Sequence, residues 1–164
     1  MSADRPAARA QEAGTEAEQL LARLIRFNTV NPPGNERPAQ EYLAEHLTSA
    51  GFRCELLGAE AGRPNLVARL SAEGAGAGAG PTLCYLGHVD TVLADASEWT
   101  HDPWSGELAD GFLWGRGALD MKSQVAAEIA AAAALARSGW RPARGELLIV
   151  SVVDEETGGE LGAH

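Results

Sequence analysis

Two apolar runs constrain this chain more than any other feature: TLCYLG at Thr82–Gly87 and ELLIVSVV at Glu146–Val153. Both have the length of a strand. The first is apolar without interruption and the second nearly so, the pattern of strands buried on both faces, which suits a sheet centre. Each run then stops in ionisable residues. The first leads into Gly87-His88-Val89-Asp90 and the second into Asp154-Glu155-Glu156. Ligands of open α/β sheets collect beyond the carboxyl ends of the strands, so the two polar junctions are expected to serve one site.

The remaining segments supply a covering layer. Thr15 followed by Glu18 reads as a capping box, and Leu20, Leu21, Leu24, Ile25 and Phe27 form the apolar stripe of a first helix. The Ala-, Arg- and Pro-rich residues 1–14 before it are expected to be a disordered tail. After the turn NTVNPPGNE, a second helix is expected from Glu36 to Ala50, with Ala39, Leu43, Leu47 and Ala50 inward and Gly51 as its cap. Phe52, Cys54 and Leu56 alternate with Arg53 and Glu55 as a half-buried strand, and Asn65–Leu70 is another. Ala72–Gly80 is a low-complexity, flexible loop. The irregular stretch Val89–Leu119, anchored by Trp99, Trp104 and Trp114, is long for a structural connection. A third helix is expected over Gln124–Arg137. This order predicts an α/β fold, with residues 15–164 as one unit in which helices flank a sheet.

Charge and cysteine content narrow the function. A formal charge of −10 on 164 residues disfavours nucleic acid and anionic membranes as partners. Cys54 and Cys84 lie in no CxxC pair, so neither a disulfide framework nor a thiolate zinc knot is expected. No secretory h-region is present in the first residues, and Val125–Ala136 is too short to span a bilayer. The expected compartment is the cytoplasm, and the expected partner a small molecule or short peptide. There is no GxSxG elbow, and Gly115-Arg116-Gly117 lacks a phosphate-loop pattern.

The candidate chemistry lies in three clusters. At a strand end, His88 and Asp90 are two residues apart, so both side chains lean to one face; one ring nitrogen can take a metal while the carboxylate receives the other ring N–H. Asp120, in GRGALDMKS, can bridge cations or simply cap the helix after it. Asp154, Glu155 and Glu156 repel each other unless something compensates. A cation would do so, with one Glu binding it and its neighbour free to take a proton from bound water. Singly, each cluster is explained by a satisfied turn, a cap or a solvated acidic loop. Together they offer one imidazole and several carboxylates, a mixed N/O donor set that suits zinc.

The motifs YLGHVDTV, WTHDPWSGEL, DGFLWGRGALDMKS and VVDEETGGELGA, in this order, resemble the zinc metallopeptidase family of aminoacylases, glutamate carboxypeptidases, acetylornithine deacetylases and succinyl-diaminopimelate desuccinylases. NTVNPPGNE and the helix before Gly51 are similar too, so the resemblance runs from about Leu20 onward. It implies that His88 binds one zinc, Asp120 bridges two, Glu156 binds the other, Asp90 clamps the His88 ring and Glu155 is the general base. It also implies a cis peptide at Asp120–Met121. The implied reaction is amide hydrolysis in N-acyl amino acids or short peptides by a dinuclear-zinc-activated water, with cobalt or manganese as substitute ions and a homodimer conceivable for a full-length protein. Family members are much longer, carry a lid domain, and have a further carboxylate ligand and a last histidine ligand downstream; His164 is too close to Glu156 to be equated with either. The expectation is therefore the N-terminal portion of a catalytic domain, probed as an enzyme in the full-length context or, alternatively, as a truncated and inactive binding or structural module.

Overall fold

The computed structural model describes residues 4–74 and 80–162. The centre of the low-complexity loop and His164 lie outside the described residues. In chain order the elements are α1 (Asp4–Ile25), α2 (Arg37–Ser49), β1 (Arg53–Leu57), β2 (Asn65–Ser71), β3 (Thr82–His88), β4 (Glu107–Ala109), β5 (Phe112–Trp114), α3 (Ser123–Arg137) and β6 (Glu146–Val152). A kinked turn at Ala118–Lys122, non-helical at Asp120 and Met121, leads into α3, and a single 3₁₀ turn, Glu155–Thr157, follows β6.

The two apolar runs are sheet neighbours. β3 and β6 pair in parallel, from Thr82 opposite Glu146 to His88 opposite Val152, so both end at the same edge of the sheet. A parallel pair needs a crossover, and α3 provides it. β2 joins the other side of β6 antiparallel, and β1 joins β2 in the same sense, giving the order β1-β2-β6-β3. The expected mixed sheet flanked by helices is the fold found.

Strand alternation sets the layers. Leu66, Ala68 and Leu70 of β2 and Leu147 and Ile149 of β6 are buried, and they form one core with Leu20 and Leu24 of α1, Leu43 and Leu47 of α2, and Ile129, Ala130 and Ala133 of α3. Small residues along α3 let it lie close to its neighbours. Gly87 shows why: a Cβ there would sit 2.8 Å from Val125 Cγ2 and 3.2 Å from Met121 Cε. The helix-to-strand contact is also polar at one point, where buried Gln40 donates from Nε2 to Ser151 O at 2.9 Å.

Two expectations are corrected. The disordered tail assigned to residues 1–14 is helical from Asp4, and Thr15 lies inside α1 with its hydroxyl donating to Gln11 O rather than capping. The Ala, Arg, Gln and Glu residues of this stretch are strong helix formers, and Glu16 is tied to His46 of α2 and Arg137 of α3. Secondly, β3 stands at the edge of the sheet, not at its centre, and no strand among the described residues pairs with its outer side. Leu83, Tyr85 and Leu86 are consequently 58%, 42% and 53% exposed.

Candidate metal centre

Chain direction brings the three ionisable clusters together. Because β3 and β6 run in parallel, His88 and the turn after Val152 emerge side by side. The irregular stretch between β3 and α3 then returns Asp120 to the same point, just before α3. Its path is fixed at Gly117, whose φ of +79° is left-handed and where a Cβ would sit 2.6 Å from Thr91 Cγ2. The Asp120–Met121 peptide is cis, in line with the resemblance.

One imidazole sits among carboxylates. His88 Nδ1 lies 3.3 Å from Asp90 Oδ1, and His88 Nε2 lies 3.2 Å from Asp120 Oδ1 and 3.6 Å from Glu155 Oε2. His88, Asp120 and Glu156 each place a donor atom within 4.8 Å of the other two. This is the only such group among the described residues. Its donors, one imidazole nitrogen and two carboxylates, match the mixed N/O set that zinc accepts. His88 and Asp90 are buried, whereas the Asp120 and Glu155 side chains are open to solvent, so the cluster is closed beneath and accessible above.

Electrostatics mark the cluster as a place that attracts positive charge. Burial alone would push the His88 imidazole down, but Asp90, Asp120 and Glu155 override it and hold it up at about 9. Asp90 shows the converse balance. Burial raises it, yet hydrogen bonds from His88, Asn31 and the Glu156 N–H bring it below the ordinary carboxylate value. Glu156 is raised by burial; His88 opposes this, and nearby Asp120, Asp90 and Glu155 add to it.

Asp90 has no exposure and is a hub for the loop after β6. Its Oδ1 accepts the Glu155 N–H at 3.2 Å and its Oδ2 the Glu156 N–H at 3.1 Å. The first residue of the acidic triplet, Asp154, is not part of the donor group. It adopts φ +71° and accepts from Thr157 Oγ1, Asn31 Nδ2 and the Leu161 N–H. The Thr157 hydroxyl, against the cost of burial, and then Asn31, Leu161 and Arg63 hold it down at about 2.

Several residues of this neighbourhood were not anticipated from sequence. Arg63 donates to buried Glu36 from Nε and Nη2, and its Nη2 lies 3.1 Å from Asp154 Oδ1. Lys122 is fully buried and donates from Nζ to Leu24 O at 2.8 Å, satisfying a carbonyl at the end of α1; burial lowers its ammonium to about 8 against the pull of Asp90. A charged residue inside a motif that ends in a helix is a usable signal for Lys122. Nothing in the spacing of Glu36 and Arg63 announces their pairing. His46 and His101 stand outside the donor group, bonded to Glu16 and to Glu107 respectively.

The model of peptidase family M20/M25/M40 matches residues 84–164. Succinyl-diaminopimelate desuccinylase of Xanthobacter autotrophicus is 45% identical over 141 residues, covering 84% of this chain and 34% of that protein. The Paracoccus denitrificans protein of the same name is 44% identical over 147 residues, covering 89% and 36%. Among solved structures, human carnosine dipeptidase 1 superimposes with a TM-score of 0.74 at 22% identity, over 93% of this chain and 35% of that one. An M20 family metallo-carboxypeptidase from Sulfolobus solfataricus gives 0.73 at 22% identity, over 88% and 32%. These two show likeness of fold. The chain spans about a third of the length of the curated relatives it matches.

Proposed function

Starting from a chain that belongs to peptidase family M20/M25/M40, we propose that it carries part of the active site of a zinc-dependent amide hydrolase, with His88, Asp120 and Glu156 as metal ligands. The observation that carries this reading is the convergence of those three donors within 4.8 Å beside Glu155. Bound zinc, two ions per complete site in this reading, would be held by His88, Asp120 and Glu156 and would supply an acidified water and a Lewis acid for the substrate carbonyl.

The geometry supports the following protein side of the reaction. Asp90, held by the N–H groups of Glu155 and Glu156, fixes the His88 ring through Nδ1 and leaves Nε2 facing Asp120. The Glu155 carboxylate, fixed at its backbone and open to solvent at its side chain, accepts the proton that the attacking water gives up. As the amide C–N bond breaks, Glu155 returns that proton to the departing amine nitrogen. The sum is one water consumed, one carboxylate and one amine released.

Substrates of this reading are N-acyl amino acids or short peptides. The curated relatives at 42–47% identity bear the name succinyl-diaminopimelate desuccinylase, which makes an N-succinyl diamino acid the first compound to test. No helix among the described residues is long and apolar enough to cross a membrane; a cytoplasmic setting and a small-molecule or short-peptide substrate belong to the same reading. Homodimerisation in a longer protein belongs to the same reading.

The open β3 edge, with exposed Leu83 and Leu86, supports a second reading in which the chain is a binding or structural module without turnover of its own. Zinc content of the purified chain, followed by hydrolysis of N-succinyl-diaminopimelate, separates the two. Zinc bound by the chain, and turnover in the complete protein that Glu155→Ala abolishes while zinc stays bound, is the expected result. Turnover retained by Glu155→Ala would overturn the role of Glu155, and a chain that binds no zinc would favour the module.

A further inference from the structure

The chemistry above gives Asn31 no task, yet the structure places its side chain at the junction of the whole site. It is buried, and its amide nitrogen lies 3.0 Å from Asp90 Oδ2, 3.1 Å from Asp154 Oδ1 and 2.9 Å from Thr157 Oγ1. The Thr157 hydroxyl donates in turn to Asp154 Oδ1 at 2.8 Å, closing the cluster. Asp90 and Asp154 belong to the ends of two different strands, and like charges so placed repel one another unless a donor lies between them. The Asn31 amide has two N–H bonds and no charge, which is what two facing carboxylates require.

The backbone around Asn31 is fixed as well. Its N–H donates to Thr91 O at 2.9 Å, Thr91 N–H donates to Thr29 O at 3.0 Å, and Thr29 Oγ1 donates to Val89 O at 2.7 Å. Residues 29–31 thus lie along the Val89–Thr91 segment, and the amide reaches the carboxylates from a rigid support.

We propose that Asn31 is a positioning residue for the metal centre: by donating to both Asp90 and Asp154 it locks the strand end that carries His88 to the turn that carries Glu155 and Glu156. This rests on the proposed role of His88, Asp120 and Glu156 as ligands. The coupling runs through Asp90, whose two oxygens face the His88 ring and the N–H groups of Glu155 and Glu156. Aspartate at position 31 would add a third negative charge, and leucine of similar size would leave both carboxylates without their shared donor.

The test compares the 164-residue chain with its Asn31→Leu and Asn31→Ser variants. Amide hydrogen exchange in the metal-free chain is read at Glu155, Glu156 and, as a core reference, Ile149. Zinc affinity is then titrated. The expected result is faster exchange at Glu155 and Glu156 with Ile149 unchanged, and zinc binding weakened by roughly 10–100-fold. Exchange at the two glutamates that is unchanged, or that rises only in step with Ile149, would overturn the proposal, since a merely structural residue loosens everything together. If Asn31→Leu does not fold, Asn31→Ser, which keeps a single small donor, gives the same reading. A wild-type chain that binds no zinc would count against the ligand assignment, while exchange in the metal-free chain still decides the role of Asn31.

Discussion

Glu36, with no exposure to solvent, is held by Arg63 through two nitrogens, Nε at 3.0 Å from Oε2 and Nη2 at 2.8 Å from Oε1. The pair joins the start of α2 to the loop before β2, and Arg63 extends it to Asp154. Removing the cation alone strands a buried carboxylate. Arg63→Met should therefore destabilise the chain by about 3–5 kcal/mol, and Glu36→Leu/Arg63→Met should recover much of that loss. Urea denaturation of both variants measures it; a single variant within about 0.5 kcal/mol of wild type would contradict the burial of this pair.

Zinc should stabilise the fold through mass action. At a free concentration of 100 Kd the gain is about 2.7 kcal/mol, visible as a rise in Tm that a chelator reverses. His88→Ala and Asp120→Ala should each abolish the shift, while His101→Ala, at a histidine bonded to Glu107 away from the cluster, should leave it intact. A zinc-dependent shift that survives His88→Ala would place the ion elsewhere.

Glu16 ties three helices together, accepting from His46 Nε2 at 2.6 Å and Arg137 Nη1 at 3.0 Å. Burial raises its carboxyl, but Arg137 and His46 outweigh that and lower it from its ordinary 4.5. A carboxyl lowered on folding contributes stability above 4.5 and loses it as pH falls through the folded value. The advantage of wild type over Glu16→Gln should be present at neutral pH, remain below about 1 kcal/mol because the pair is partly solvated, and disappear in acid. Paired denaturation curves across this range check it, and an advantage that grows in acid would reverse the sign.

Gly87 faces α3 where a methyl group has no room, with Val125 Cγ2 2.8 Å from the place a Cβ would take. Gly87→Ala should cost about 1–3 kcal/mol. The second atom in its way belongs to Met121, next to Asp120, so zinc affinity should fall along with Tm. Unchanged thermal unfolding would show that α3 shifts freely.

Much of the site was legible because the relevant chemistry sits at the ends of strands. His88, Asp90, Glu155 and Glu156 follow two apolar runs, and the β3–α3–β6 crossover necessarily brings those ends together. Asp120 needed the resemblance, since by spacing alone it is equally a helix cap. Asn31, Glu36 and Arg63 were not legible: they act through partners 27 to 126 residues away, and local pattern carries no information about such pairings. The position of β3 was misjudged for a different reason. An apolar strand records the neighbours its side chains suit, whereas its place in the sheet depends on which neighbours are there. The start of α1 was missed because a capping box at Thr15 outweighed the helix-forming residues before it, although tertiary contacts of Glu16 favour the longer helix.

The outer side of β3 has a colloidal consequence. TLCYLGH carries no lysine, no acidic residue and no proline within the strand, and its exposed Leu83, Tyr85 and Leu86 offer nothing to deter a second extended chain. Such an edge is a template for intermolecular strand addition. The same seven residues that deliver His88 to the donor cluster therefore leave, among the described residues, a row of unpaired backbone groups open to strand addition.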